Sequence, residues 1–284
     1  MSLEKCILCP HECSVNRING QTGRCRAGQN VRIALASVHE FEEPCISGIQ
    51  GSGTVFFSNC NLSCVYCQNY KISAGGFGKE ITIEHLAEIF LKQQEKKVHN
   101  INLVSPTIYV EQIIEAIRIA KQKGLQIPIV YNSSGYERHE TIKMLEGYID
   151  IYMPDFKYAD DKLGEKYSNI KEYSKYAKEA ILEMQAQVGE TNFSDDGILQ
   201  RGVIVRHLVL PNHIQNTKAV LDWLHENMKD KAVISVMAQY FPTHKAKQIL
   251  ELNRKLTKRE YKKVANYLYE KNFKYGYIQE LRKP

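Results

Sequence analysis

The sequence predicts an α/β fold built on a parallel sheet, and three observations support this. From about residue 53, apolar segments rich in β-forming residues alternate with helical segments. Each apolar segment is nearly continuous, as expected for strands buried on both faces. The 284 residues, 43% of them hydrophobic, suit one domain of α/β barrel size with a small appendage. Helices that connect parallel strands of one sheet make right-handed crossovers. The alternating pattern permits either an open (β/α)6 partial barrel or a flat doubly wound sheet.

The predicted elements follow in chain order. The strand candidates are residues 54–58, 101–104, 127–131, 149–153, 203–209 and 232–237. Ile83, Leu86, Ile89 and Phe90 share one face of a helix that begins after a Thr82 cap. Ile113, Ile114, Ile117 and Ala120 share a face of a second helix, which ends at Gly124. Thr257 and Glu260 form a capping box that starts a last helix, which continues to about Asn272.

Two segments interrupt the alternation. Residues 1–50 carry many cysteines and few secondary-structure signals, so we divide the chain into a Cys-rich amino-terminal module (1–50) and a core (51–284). Residues 159–201 hold an amphipathic helix with Tyr176, Ile181, Leu182 and Met184, followed by a polar stretch. A connection of this length is either a functional lid or rim, or an ordinary helical crossover.

Composition limits the possible partners and compartment. The net charge of +6 is spread over Lys-Glu-rich helix faces, without a basic tract interleaved with aromatics, so nucleic acid is not expected as a partner. A signal peptide and a membrane-spanning apolar run are both absent, which predicts a cytoplasmic protein with no membrane partner. Eight cysteines in a reducing compartment suggest metal ligands. Cys45 stands apart from the others, and we interpret it as an ordinary small residue.

Cys60, Cys64 and Cys67 form a C-x3-C-x2-C run directly after the first predicted strand. Three thiolates on one short loop can hold three irons of a [4Fe–4S] cubane and leave the fourth iron open to a ligand. The carboxyl end of a parallel strand is also where ligands bind in α/β folds. The alternatives are a zinc loop or free buried thiols, although zinc sites usually pair two C-x2-C knuckles.

Cys6, Cys9, Cys13 and Cys25 form a second group with the spacing C-x2-C-x3-C-x11-C. Four thiolates can close a site around zinc or around a second Fe–S cluster. The spacing does not choose between them, and the absence of a metal is the third alternative. His11, inside the loop, is either another ligand or a surface residue.

Polar residues follow the predicted strands, where a ligand near the cysteine loop would lie. They are Ser105 and Thr107 after the second strand, Asn132 and Ser133 after the third, Asp155 and Lys157 after the fourth, Arg206 within the fifth, and Gln239 and Tyr240 after the sixth. A charge in an apolar strand needs a partner, because an unpaired buried charge is costly. For Arg206 that partner is either a ligand carboxylate, which Arg can grip with two hydrogen bonds, or an internal carboxylate such as Asp155.

The C-x3-C-x2-C run with Tyr66 before its last cysteine, followed by Gln68 and Asn69, resembles the radical S-adenosylmethionine (SAM) superfamily. More narrowly, the chain is similar to the activating enzyme of pyruvate formate-lyase and to a branch of uncharacterised homologues that shares the four amino-terminal cysteines. The resemblance implies a partial (β/α)6 TIM-like barrel and a [4Fe–4S] cluster on Cys60, Cys64 and Cys67. It also implies that SAM binds the open iron and is cleaved to a 5′-deoxyadenosyl radical, which abstracts hydrogen from a substrate.

The resemblance further implies the partners and several site residues. A reductant of flavodoxin or ferredoxin type would supply the electron, and a protein or peptide, such as a glycyl radical enzyme, would be the substrate. Asp155, Lys157 and Arg206 match family positions near SAM. Relatives carry Gly-Gly-Glu where this chain has Val104-Ser-Pro-Thr107, so Ser105 and Thr107 would have to offer carbonyls or hydroxyls. Tyr240 stands where the activating enzyme has a histidine. Because tyrosine is a weaker base than histidine, the expected role of Tyr240 is packing or hydrogen bonding. The rival interpretation is a non-catalytic Fe–S electron-transfer protein.

Overall fold

A sheet of mostly parallel strands organises residues 3–281, the part of the chain that the computed structural model describes. The strands are β1 (Val31–His39), β2 (Ser52–Phe57), β3 (Lys79–Ile81), β4 (Ile101–Val104), β5 (Ile129–Ser133), β6 (Ile151–Pro154), β7 (Asn192–Phe193), β8 (Leu199–Leu208), β9 (Val233–Met237) and β10 (Tyr275–Ile278). All six predicted strands are present, with ends that differ from the prediction by up to four residues. The strand at 127–131 begins two residues later, after Pro128, and continues through Asn132 and Ser133 because these residues pair with β6.

The helices lie between the strands. They are α1 (Pro44–Ser47), α2 (Tyr70–Ser73), α3 (Ile83–Glu95), α4 (Val110–Gln122), α5 (His139–Lys143), α6 (Asp161–Ser168), α7 (Tyr173–Val188), α8 (Ile214–Met228) and α9 (Lys258–Lys271), with 3₁₀ turns at Thr107–Tyr109 and His244–Gln248. The predicted helix starts are confirmed. The Thr82 hydroxyl accepts from the His85 amide, and Thr257 and Glu260 form the reciprocal capping box.

The strand order decides between the two predicted architectures. It runs β3-β1-β2-β4-β5-β6-β8-β9-β10, and neighbours from β2 to β10 are parallel. A doubly wound sheet reverses its strand order, whereas this order never reverses. Right-handed crossovers therefore place the helices on one face and let the sheet curve into the open barrel that the sequence predicted.

Four strands in the described part of the chain were not predicted: β1, β10 and the short strands β3 and β7, which pair antiparallel with β1 and β8. β1 pairs antiparallel with β2, so the sheet extends into the segment before residue 51. β10 adds a further parallel strand beside β9. Its sequence Tyr-Gly-Tyr-Ile is short and contains a glycine, so the usual strand signals are weak there.

The core has two layers on opposite faces of the sheet. The larger one packs Tyr131, Tyr152 and Val205 against the outer helices. The smaller one lies on the inner face, where Cys45 and Ile46 of α1 pack with buried strand residues such as Val130, Met153 and Ile204. A short helix from the amino-terminal segment thus fills the inside of the barrel.

Residues 159–201 form an ordinary helical crossover rather than a lid. α7 packs on α5, β6 and β8 on the outside of the barrel. The preceding α6 lies beside the cysteine loop, because the Ser63 and Val65 amides donate to the carbonyls of Ser168 and Tyr167. Among residues 3–281, no helix combines the length and apolarity that crossing a membrane requires.

Candidate functional site

The loop with Cys60, Cys64 and Cys67 follows β2 and is held by hydrogen bonds at each sulfur. The Leu62 amide donates to Cys60 Sγ at 3.4 Å, and the Ser168 hydroxyl donates to Cys64 Sγ at 3.0 Å. Cys67 Sγ lies 3.2 Å from the Ser73 hydroxyl. Donors directed at sulfur stabilise thiolate ligands of Fe–S clusters and influence the cluster's reduction potential.

Cys60 and Cys64 favour their protonated form when no metal binds them. Burial raises the pKa of Cys60 to about 12 and the pKa of Cys64 to about 11, although the Lys157 ammonium opposes the shift at Cys64. In the described part of the chain, no group of three or more His, Cys, Asp or Glu side chains already stands in a metal-holding arrangement. Metal binding would therefore displace the thiol protons and turn the side chains toward a common centre.

A chain of buried hydroxyls leads to Cys64. Tyr66 and Tyr158 share a hydrogen bond of 2.5 Å between their hydroxyls, and Tyr158 lies 2.8 Å from the Ser168 hydroxyl. Ser168 in turn donates to Cys64 Sγ. Because an O–H that donates to the next oxygen polarises that oxygen's own O–H, the chain strengthens the bond to sulfur.

A buried ionic cluster surrounds Arg206 on the inner face of β8. Arg206 Nε lies 3.0 Å from Asp155 Oδ1, and a second guanidinium nitrogen lies 2.6 Å from Asn132 Oδ1. The third nitrogen is 3.5 Å from Glu42 and 4.0 Å from Glu43. The internal ion pair with Asp155, one of the two predicted alternatives, is thus present. The guanidinium nitrogen near Glu42 and Glu43 has the longest contacts, so it is the one best able to donate a hydrogen bond to a further carboxylate.

Charge complementarity sets the pKa values in this cluster. Burial would raise the pKa of Asp155, but Lys157 and Arg206 outweigh it and hold that pKa below its ordinary value. Lys157 Nζ lies 2.5 Å from Asp155 Oδ2. Burial raises the pKa of Glu43, although Arg206 opposes the shift. The cluster thus contains the ionised pair of Asp155 and Lys157 and, in Glu43, a carboxyl that takes up a proton readily.

A cavity of about 570 Å³ opens at the mouth of the barrel. This volume lies within the range of pockets that bury a ligand of nucleotide size. The lining residues include Phe56, Val104, Asn132 and Arg206 from four strands, Gln68 and Asn69 directly after Cys67, His39 at the end of β1 with Phe41 and Glu42 after it, and Gln239, Gln279 and Glu280. The cavity therefore joins the cysteine loop, the ionic cluster and the amino-terminal segment.

The structure does not bring every candidate residue into this cavity. Thr107 is buried and donates its hydroxyl to Glu137 at 2.7 Å. The Ser133 hydroxyl accepts from the Gly135 amide at 3.2 Å. Tyr240 is buried, packs edge-on against Tyr66 and donates to the Leu252 carbonyl at 2.7 Å. Each of these hydroxyls bonds within the protein.

Ser105 is different because its backbone is unusual. Its φ of +59° lies in the left-handed region that favours glycine, and its amide donates to the Asn132 carbonyl. A non-glycine residue in this region costs on the order of 1 kcal/mol, and such residues cluster at functional sites. The backbone after β4 is therefore held in a strained turn next to Val104, which lines the cavity.

The four amino-terminal cysteines line a small void of about 10 Å³, together with Arg17. Arg17 is 1% exposed, and its guanidinium donates to the Gly28 and Ile108 carbonyls and points at Cys6 Sγ, 3.9 Å away. Its hydrogen-bond partners within the described residues include no carboxylate. A buried cation with no hydrogen-bonded anion is costly, and a centre with four thiolates would add negative charge beside it.

Several residues of the site were missed by sequence reasoning. Glu42 and Glu43 reach Arg206 from the turn before α1, and the only local signal was a pair of acidic residues before a proline. Ser168 and Tyr158 support Cys64 from positions about a hundred residues away in the chain. Arg17 lies in a polar segment where an arginine is usually exposed.

Comparison with known proteins places this geometry in a family. The radical SAM superfamily matches residues 54–237. An uncharacterised protein of Methanocaldococcus jannaschii is 32% identical over 92% of this chain and 73% of its own length. The pyruvate formate-lyase-activating enzyme of Clostridium pasteurianum is 25% identical over 45% of this chain and 56% of its own length. A radical SAM methyltransferase from Sphaerobacter thermophilus shares the fold at a TM-score of 0.56 and 14% identity, covering 81% of this chain and 67% of that one. The chain belongs to the radical SAM superfamily.

Proposed function

We propose that this protein cleaves SAM reductively at a cluster held by Cys60, Cys64 and Cys67, and that it modifies a protein or peptide. When bound, the cluster supplies one electron to the SAM sulfonium, and the 5′-deoxyadenosyl radical that results removes a hydrogen atom from the substrate. One observation carries the proposal: Gln68 and Asn69, which directly follow Cys67, line the same cavity of about 570 Å³ as Arg206. The electron comes from a reductant of flavodoxin or ferredoxin type in the reducing cytoplasm.

In this proposal, the residues that line the cavity and those that lie around it have separate roles. Arg206 orients the SAM carboxylate with the guanidinium nitrogen that has only long contacts to Glu42 and Glu43. Asp155 fixes Arg206, and Lys157 balances the charge of Asp155. Ser105 offers a backbone carbonyl to the SAM amino group from its left-handed turn. Thr107, Ser133 and Tyr240 support these residues from behind through their internal hydrogen bonds.

Two observations support a macromolecular substrate in this proposal: an exposed apolar side chain at the opening of the cavity, and the name of one relative. Phe41 lines the cavity and is 82% exposed, so an apolar side chain stands uncovered at the opening. The name of the Clostridium pasteurianum relative states that it activates pyruvate formate-lyase, which is itself a protein. We therefore propose a protein or peptide hydrogen donor, and a glycine that becomes a glycyl radical is one such donor.

The amino-terminal cysteines hold a second metal centre in this proposal. Arg17 supports it, since the buried guanidinium has no hydrogen bond to a carboxylate among residues 3–281, and Glu111 interacts with it only electrostatically. The four cysteines also line one small void; a metal there would have to displace the thiol protons, which burial retains on Cys9 and Cys25 by raising the pKa of both. Zinc and a second Fe–S cluster both fit four thiolates.

The test is anaerobic reconstitution of the protein and of two variants. Cys64→Ser removes one of three protein ligands, so the cluster should be poorly held and lose its response to SAM. Cys45→Ala is the matched control, because Cys45 is buried but lies outside both cysteine groups. We expect SAM to change the electron paramagnetic resonance spectrum of the wild type and of Cys45→Ala. We also expect both to release 5′-deoxyadenosine and methionine under strong reductant.

Two outcomes would count against the proposal. A wild-type spectrum that does not respond to SAM would favour the non-catalytic electron-transfer protein, whose clusters are closed. A response that persists in Cys64→Ser would remove Cys64 from the ligand set. For the glycyl radical, the protein is incubated with a glycyl radical enzyme, SAM and reductant, and the resonance of a glycyl radical is sought in the partner.

A further inference from the structure

Three hydrogen-bonded contacts connect the amino-terminal module to the region of the three-cysteine loop. His11 Nε2 donates to the Asn61 carbonyl at 2.8 Å. Arg24 donates to the Asn169 carbonyl at 2.5 Å. Arg26 donates to the carbonyls of Ala74 and Ser73. We call His11, Arg24 and Arg26 the three arms.

Each arm contacts a residue that is connected, by the chain or by a hydrogen bond, to a different cysteine of the loop. Asn61, which His11 contacts, follows Cys60 directly. Asn169, the partner of Arg24, follows Ser168, whose hydroxyl donates to Cys64 Sγ at 3.0 Å. Ser73, held by Arg26, has its hydroxyl 3.2 Å from Cys67 Sγ.

The arms begin next to the amino-terminal cysteines. His11 lies between Cys9 and Cys13, and Arg24 and Arg26 flank Cys25 on both sides. A segment with little apolar burial does not hold its own conformation, so whatever fixes these cysteines also fixes the arms. The module itself is anchored on the barrel, since Arg138 and the Thr141 hydroxyl donate to the Ile7 and Leu8 carbonyls.

We propose that the amino-terminal module is a clamp for the catalytic loop, in which His11, Arg24 and Arg26 are positioning residues for Cys60, Cys64 and Cys67 respectively. The proposal rests on the proposed function only in naming these three cysteines as the cluster ligands. The arms touch backbone carbonyls and not the sulfurs, so they act by limiting how far each ligand segment can move. A metal at the four amino-terminal cysteines tightens all three arms together.

The clamp has a measurable consequence in the rate at which each thiol becomes accessible. The three loop cysteines are partly exposed, so each reacts with an alkylating reagent at a basal rate that rises when its segment opens. The increase in rate over the wild type therefore reports local opening. Loss of a hydrogen bond from a charged donor should raise this rate about tenfold for Arg24→Ala and Arg26→Ala. His11 donates as a neutral group, so His11→Ala should raise the rate about threefold.

The experiment measures alkylation of each cysteine by mass spectrometry in the full chain, reduced and freed of the catalytic cluster. We expect His11→Ala to expose Cys60, Arg24→Ala to expose Cys64, and Arg26→Ala to expose Cys67. Cys45 is the internal reference for global unfolding, because it is buried and lies outside both cysteine groups. Arg118→Ala is the matched control, since that exposed arginine forms a salt bridge with Glu115 on its own helix and with no other carboxylate among residues 3–281.

A second measurement uses the reconstituted protein. A ferrous chelator should remove iron faster from each arm variant than from the wild type or Arg118→Ala. The conservative variants Arg24→Lys and Arg26→Lys retain a cationic donor and should restore most of the protection. Cys13→Ser, which removes an amino-terminal ligand, should accelerate alkylation of Cys60, Cys64 and Cys67 together.

The outcomes separate the clamp from its alternatives. Rates equal to the wild type in all three arm variants would overturn the proposal. A parallel rise at Cys45 would also overturn it, because the variants would then act through global stability. An equal rise at all three loop cysteines in every variant would refute the one-to-one assignment. Alkylation does not depend on SAM, so failure of the proposed function would instead appear in the SAM-dependent spectrum.

Discussion

Arg206 gives the sharpest prediction, because it is both the hub of an ionic cluster and the proposed ligand for the SAM carboxylate. Its side chain is 14% exposed and lies within 4.0 Å of carboxylates from Asp155, Glu42 and Glu43. Arg206→Gln leaves these carboxylates with Lys157 as the one remaining cation of the cluster. Removing one partner of a buried pair costs about 3–5 kcal/mol. We expect the lower end, about 3 kcal/mol, since Glu43 can take up a proton.

The double variant Arg206→Gln with Glu42→Gln separates stability from binding. It restores the charge balance, because Asp155 and Lys157 still pair with each other and Glu43 is the group with the raised pKa. The free energy of unfolding, measured by anaerobic denaturant titration, should recover by at least half of the loss. SAM affinity, measured by calorimetry on the reconstituted protein, should stay roughly tenfold to hundredfold below the wild type in both variants.

Either the SAM affinity or the free energy of unfolding can refute a role assigned to Arg206. If the double variant regains wild-type SAM affinity, Arg206 is a structural ion-pair residue and does not bind the ligand. If Arg206→Gln unfolds at the wild-type denaturant concentration, the ionic cluster does not hold the barrel together as its geometry indicates.

Three further predictions concern the cluster, the amino-terminal module and pH. Ser168→Ala should lower the midpoint potential of the catalytic cluster, because it removes the O–H donor to Cys64 Sγ; an unchanged redox titration would contradict this. Cys9→Ala should lose one metal equivalent and gain protease sensitivity before about residue 30 while keeping a SAM-responsive cluster, as metal analysis and limited proteolysis will show. Burial raises the pKa of Glu137 from 4.5 to about 7, so the folded state binds a proton that the unfolded state releases. Stability should therefore fall by about 3 kcal/mol as pH rises from 4.5 through 7, and Glu137→Gln should remove that slope in urea titrations at several pH values.

The sequence predicted those parts of the fold that depend on neighbouring residues. The Thr257–Glu260 capping box is a contact across three residues, so the start of α9 was correct. The six parallel strands are buried on both faces, so their apolar runs were visible without knowledge of the sheet. β1 was missed because it is half-buried, so its residues do not form the continuous apolar run of a strand covered on both faces, although it pairs with β2 and with the short β3.

The sequence likewise predicted only some residues of the candidate site. Asp155 and Arg206 were found because a polar residue at the end of a buried strand needs a partner, and the two are indeed paired. Glu42 and Glu43 were missed because their importance depends on α1 lying inside the barrel, about 160 residues from Arg206 in the chain. Thr107 was included because of its position after β4, yet its side chain turns toward Glu137 instead. Strand-end position predicts nearness to the mouth but not the direction of a side chain.

The unpredicted carboxylates explain how the proposed site can suit a ligand of mixed charge. SAM carries a sulfonium and an ammonium against one carboxylate, so it is a net cation. Glu42 and Arg206 line the cavity; in the cluster around them Asp155 pairs with Arg206 and Lys157, and Glu43 adds a further carboxyl. Carboxyl groups therefore outnumber cations beside the one guanidinium that can grip the SAM carboxylate. Because Glu42 and Glu43 come from the amino-terminal segment, that segment supplies the electrostatic complement to SAM as well as the clamp on the catalytic loop.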